Sequence, residues 1–226
     1  MKPRWLLFAV LIVLVWSGIG PRDRLTWFLE VAPVLIALPL LLATRHAFPF
    51  TPLAYTLMAA HALILMVGGH YTYAEMPLFN WLRDALELSR NHYDRLGHIA
   101  QGFIPAIVAR EILLRRSPLQ PGKWLFFLVT AVCLAISAFY EMIEWWVAIA
   151  SGDAAVAFLA TQGDVWDTQW DMFLALLGAL SSQLLFRCRH DRQLVMLSSR
   201  SPGRPKNDLA PVGGGSGAFP DPGVNL

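Results

Sequence analysis

Residues 162–186 read QGDVWDTQWDMFLALLGALSSQLLF. Three aspartates, Asp164, Asp167 and Asp171, and two tryptophans, Trp166 and Trp170, lead into an apolar run. On a helix of about 3.6 residues per turn the three carboxylates fall within about 60° of one another, and the tryptophans project to the other side. Tryptophan is enriched where membrane helices meet water. The stretch therefore reads as a helix that starts at a membrane surface with its acids turned inward. Below Asp171 the acidic stripe continues as Ala175, Gly178 and Ser182. Small residues at that spacing permit close packing of a second helix, so this segment is expected to be an inner helix of a bundle.

The rest of the chain fits a membrane setting. Of 226 residues, 56% are hydrophobic and 15% charged, where a soluble domain carries roughly a quarter charged residues. The deficit is concentrated in long apolar runs, and a bilayer span needs about 20 mainly apolar residues. Six spans are predicted, near residues 5–19, 25–43, 52–69, 95–114, 124–150 and 170–186, making a 1–190 helix-bundle domain. The first follows Lys2 and Arg4 in the manner of a signal peptide. Its end, WSGIGPR, lacks a small-residue cleavage pattern and a second apolar run follows at once, so an uncleaved span is expected. Residues 191–226 are expected to form a cytoplasmic, largely disordered tail rich in Pro and Gly. Within His70–His92, the segment WLRDALELSR reads as a short interfacial helix.

Cytoplasmic loops retain Lys and Arg. With the N-terminus inside, twelve of the 18 Lys and Arg fall on inner segments and five, Arg22, Arg24, Arg83, Arg90 and Arg95, on outer ones. Arg110 lies toward the inner end of its span. Both termini are therefore predicted to be cytoplasmic. A net charge of +2 gives no case for nucleic acid as a partner, and Cys133 and Cys188 form no disulfide framework.

Ionisable residues within spans are the informative ones, because each must find a partner there. Asp94, His98 and Gln101 follow i, i+4, i+7 spacing and share one helix face. Glu141 and Glu144 lie three residues apart in the outer half of the fifth span. Together with Asp167 and Asp171 they converge on the outer membrane boundary, where His70, His92, Arg95 and Asp164 also lie. Gathered carboxylates repel unless a cation or proton sits between them. Arg95 is a candidate counter-charge, and a divalent metal, Zn, Mn, Fe or Mg, is another. The ligand candidates are Asp94, His98, Glu141, Glu144, Asp167 and Asp171. Simpler roles compete: Asp164 and Asp167 also suit helix N-terminal caps, and His61 reads as structural. Arg110–Glu111 and Arg115–Arg116 read as an inner-interface anchor reaching toward headgroups.

GGHYTYAEMPLFNW, RNHYDRLGHIAQGFIPAIVAREILLR, SAFYEMIEWW and FLATQGDVWDTQWDMFLALLGA together resemble the YjdF family of predicted bacterial inner-membrane proteins. The resemblance runs from about Gly68 to Ala179. It implies a multi-pass inner-membrane protein and adds no mechanism. A more distant similarity is to VanZ-like membrane proteins, at Asp94 and His98, Glu141 and Glu144, and Asp167 or Asp171. That similarity implies an association with envelope lipids or glycopeptide-type resistance.

Three functions are consistent with these residues. One is a metal-dependent site that binds or acts on a lipid-linked or envelope substrate, with the bilayer as its surroundings. Another is a small ion-coupled transporter, although no inverted repeat or broken helix supports it. The third is a structural or accessory membrane protein whose polar cluster only locks its helices. No GxSxG-type nucleophile is present.

Overall fold

A computed structural model describes residues 4–152 and 156–199, and every regular element among these is helical. The long helices are α1 (Arg4–Ser17), α2 (Arg24–Thr44), α3 (Pro52–Tyr71), α5 (Tyr93–Arg116), α6 (Lys123–Ser151) and α8 (Asp167–Ser199). Short pieces complete the order: a 3₁₀ turn at Tyr73–Glu75, α4 (Pro77–Ala85) and α7 (Val156–Leu159). Each of the six expected spans is a helix. By length and composition α2, α3, α6 and α8 can cross a membrane. The first helix, α1, is shorter, at 14 residues, and α5 carries charged residues toward both ends.

Local chemistry sets several boundaries. Asp23 caps α2, its side chain accepting the Thr26 amide at 2.7 Å. Thr51 caps α3 with Pro52 next, where a missing amide hydrogen costs nothing. The helix expected over residues 81–90 is α4, which instead runs from Pro77 to Ala85 and exposes Trp81. The last helix, α8, starts at Asp167 and runs to Ser199, past the expected end at residue 186. Residues 191–199, expected as tail, continue the helix. The remainder of that tail, with Arg200, Arg204 and Lys206, lies outside the described residues, as does Lys2.

The bundle is organised by α5 and α8, which run parallel and touch backbone to backbone. A Cβ on Gly102 would overlap the Ala175 carbonyl, and one on Gly178 would overlap the Ile99 carbonyl. Ala175 and Ala179 are fully buried at this seam. The small-residue stripe read below Asp171 thus meets a matching glycine on α5. Ala106 and Ala179 join Leu125, Val129 and Cys133 of α6 in one core. On the other side α3 packs on α5 through Ile107, Leu53 and Ala54. The Tyr73 ring is wedged between α3 and α5, where Cβ atoms at Gly68 and Gly97 would strike it.

Gly102→Leu should force α5 and α8 apart. Overpacking a filled contact costs about 1–3 kcal/mol, and backbone atoms cannot swing away as a side chain can. The expected result is a clearly lowered melting temperature in detergent, read by circular dichroism; an unchanged one would contradict the seam.

Candidate functional site

His98 occupies the centre of the polar end of the bundle, with 6% of its surface exposed. Carboxylates from three helices surround it. Its Nε2 lies 3.5 Å from Asp94 Oδ1 on α5 and 3.8 Å from Asp171 Oδ2 on α8. Its Nδ1 lies 3.9 Å from Glu141 Oε1 on α6 and 3.1 Å from Gln101 Oε1 on the next turn. Because an amide oxygen can only accept, this contact places the hydrogen of a neutral imidazole on Nδ1. Nε2 faces the carboxylates of Asp94 and Asp171. One oxygen on each of Asp94, Asp171 and Glu141 is buried without a hydrogen-bond partner.

Two overlapping groups of donors are close enough to share an ion. Asp94, His98 and Asp171 form one, and His98, Glu141 and Glu144 the other, with the donor atoms of each group within 4.8 Å of one another. Asp167 is buried beside them but is committed elsewhere: its Oδ1 accepts from Arg90 Nη1 at 2.5 Å.

Arg90 is the residue that sequence reasoning passed over. It precedes α5, is 6% exposed, and also reaches Asp94 at 3.5 Å and Asp164 at 3.4 Å. The expected counter-charge, Arg95, instead pairs at 2.9 Å with Asp164, closer to the surface, and stacks over Trp170. Asp164 also accepts the Trp166 amide at 3.0 Å, so it both caps the approach to α8 and anchors the arginines. The loop holding Arg90 is fixed by a reciprocal pair. The Asn91 amide donates to Gln162 Oε1, and Gln162 Nε2 donates back to the Asn91 carbonyl, both at 2.9 Å. Arg90 Nη2 further donates to the carbonyl of Ala160, a residue with positive φ.

Glu30 of α2 was also missed. It is 5% exposed, and Tyr140 of α6 donates to its Oε2 at 3.1 Å. Its signal was available as the lone carboxylate inside an apolar run. The wedge residue Tyr73 lies just outside α3. Burial, reinforced by the charge of Glu30, pushes its hydroxyl pKa well up, so it stays protonated. His92 and His70 lie apart from the cluster. Burial and the neighbouring guanidiniums of Arg95 and Arg90 push His92 toward the neutral form. His70 contacts the Ser17 carbonyl at 3.0 Å and rests on Trp16.

The opposite end of α5 and α8 corrects the anchor reading. Arg110 and Glu111 do not reach for headgroups; they are 5% and 0% exposed. Glu111 accepts from the Thr51 amide and hydroxyl, from Arg115 at 2.6 Å and from His190 Nε2 at 3.1 Å. Arg110 donates to His190 Nδ1 at 3.0 Å and pairs with Asp191 at 2.7 Å. No oxygen of Glu111 is left without a partner, so this second cluster is a structural lock.

The family model described as Predicted membrane protein (DUF2238) matches residues 2–192. The chain belongs to this family. It is also 55% identical over 183 residues to the inner membrane protein YjdF of Escherichia coli (strain K12). That match covers 81% of this chain and 88% of the relative. No solved structure matches. These findings agree with the resemblance carried by the motifs, and the chain is an inner-membrane protein embedded in lipid.

Arg90→Leu should destabilise the fold strongly. Removing one partner of a buried ion pair costs about 3–5 kcal/mol because the other charge stays buried, and here Asp94 and Asp167 are both left behind. Denaturant unfolding in detergent should show a loss of at least that order, with Arg90→Lys in between because it keeps the charge without the fork.

Proposed function

We propose that this family member is a six-span inner-membrane protein, both termini cytoplasmic, that binds a divalent metal at Asp94, His98 and Asp171. The observation that supports this most is His98 Nε2 facing the buried carboxylates of Asp94 and Asp171, with Asp171 Oδ1 and Glu141 Oε1 left without a hydrogen-bond partner. A structural cluster would satisfy those oxygens, as the Glu111 end does. Two carboxylates and one imidazole suit Zn, Mn, Fe or Mg. Gln101 holds the imidazole in the tautomer a ligand needs, a role such outer partners serve at metal sites.

Three protein ligands leave positions for water and substrate. The bound metal would supply Lewis acidity toward water or toward a phosphoryl or carbonyl oxygen. Glu141, with a free oxygen beside His98, is placed to take a proton, and Glu144 stands next to it. The site lies at one end of membrane-spanning helices, so the substrate class that fits best is a lipid-linked or envelope molecule with its polar part at the bilayer surface. The bundle would extend through α8 to Ser199, and the later residues would form a cytoplasmic tail.

Elemental analysis of the purified protein, reloaded in turn with Zn, Mn, Fe(II) and Mg, tests this reading. One metal per chain is expected, with at least a tenfold loss of affinity in His98→Gln and Asp171→Asn. A folded wild-type protein that binds none of the four would end the metal reading.

Topology has its own test. A reporter fused after Gly152 should be active only outside the cytoplasm, and one at the C-terminus only inside. Cytoplasmic activity after Gly152 would put the His98 site on the other face.

A further inference from the structure

The first three helices hold a second feature, lined by no residue of the His98 cluster. The hairpin of α1 and α2 is closed at its loop end, where Trp27 Nε1 donates to Ser17 Oγ at 3.1 Å and Val10, Val31, Val34 and Met66 share a core. Toward the other end α1 and α2 both rest on α3 but separate. Between them lies a groove of about 580 Å³, within the roughly 300–1,000 Å³ of small-molecule sites.

Its walls are apolar, with Val34 and Leu41 of α2 facing Met58 and Leu65 of α3. Its mouth is not. Arg4 from the start of α1 and Arg45 and His46 from the end of α2 line it. Arg45 Nε donates to His46 at 3.1 Å. Among the described residues neither Arg4 nor Arg45 has a carboxylate partner. Deep in the groove, His61 Nε2 is buried without a hydrogen-bond partner.

We propose that this groove is a specific site for one phospholipid of net negative headgroup charge, its acyl chain between α1 and α2 and its phosphate at Arg4, Arg45 and His46. The argument is charge complementarity joined to depth. Basic pockets between membrane helices take anionic headgroups, each arginine adding attraction beyond that of the apolar wall. Burial of each methylene adds to this. The free nitrogen of His61 would gain a partner in a lipid ester or hydroxyl oxygen. Neither feature serves an ordinary boundary lipid, which needs only a greasy surface.

Native mass spectrometry of the delipidated full chain in detergent, titrated with phosphatidylglycerol or phosphatidylcholine, tests the proposal. Wild type should retain one phosphatidylglycerol with at least tenfold preference over phosphatidylcholine. The triple variant R4Q/R45Q/H46Q alters exposed residues and should keep its fold while the preference falls to within twofold. Ala62→Trp, which fills the groove, should weaken retention of both lipids. Equal retention of the two lipids by wild type, or a preference untouched by the triple variant, would overturn the proposal. So would a lipid-free dimer abolished by Ala62→Trp, which would make the groove a contact between copies.

Discussion

Both buried polar clusters of α5 and α8 hang from one apolar contact, the approach of the two helices at Gly102 and Gly178. Two helices can come this close only where neither carries a Cβ at the crossing, and lipid gives no hydrophobic drive to push larger residues together. Once the backbones touch, side chains one to three turns away along the two helices are brought together. On one side these are Asp94, His98 and Asp171. On the other they are Arg110, Glu111 and His190. The same seam thus creates two buried polar clusters, at opposite ends of the same helix pair.

The two clusters are built from similar residues and are balanced differently. At the Glu111 end every carboxylate oxygen accepts a hydrogen bond, and His190 is used at both nitrogens. At the His98 end Arg90 neutralises one side, drawing Asp167 and Asp164 to itself. Asp171 and Glu141 are left facing a single imidazole. Burying a charge without a partner is expensive, and a fold that solves the problem fully at one end had the means to solve it at the other. The imbalance supports a ligand at His98 and none at His190.

Much of this architecture was legible in the sequence because membrane helices announce themselves by length and apolarity. All six expected spans are helices, and the stripe Asp171, Ala175, Gly178 marked the inner face of α8. Convergence of Asp94, His98, Glu141 and Asp171 followed from placing three helix ends at one boundary. What escaped were residues whose partners are set by tertiary contact. Arg90 sits in a loop, where an arginine normally means solvent, and nothing local reveals that Gln162 and Ala160 fold over it. Arg110 and Glu111 were assigned to the surface because a charged run at a helix end usually lies there. Their burial depends on His190, in a segment that reads as the start of a tail. The helix continues through that segment because Gln193 accepts the Leu53 amide at 2.9 Å and His190 fills the space beside Glu111.

The position of Glu30 bears on how the His98 site differs from a helix lock. Glu30 stands beside the cluster on a fourth helix, buried, with the Tyr140 hydroxyl donating to its Oε2. Tyr140 can donate one hydrogen, and it gives that hydrogen to Glu30. Carboxylates therefore line the imidazole from α5, α6 and α8 and continue toward α2. A set that wide exceeds what holding α5 to α8 requires, because the glycine seam already does so. It is the arrangement expected when the protein's own groups form a wall and the positive charge that balances them arrives from outside.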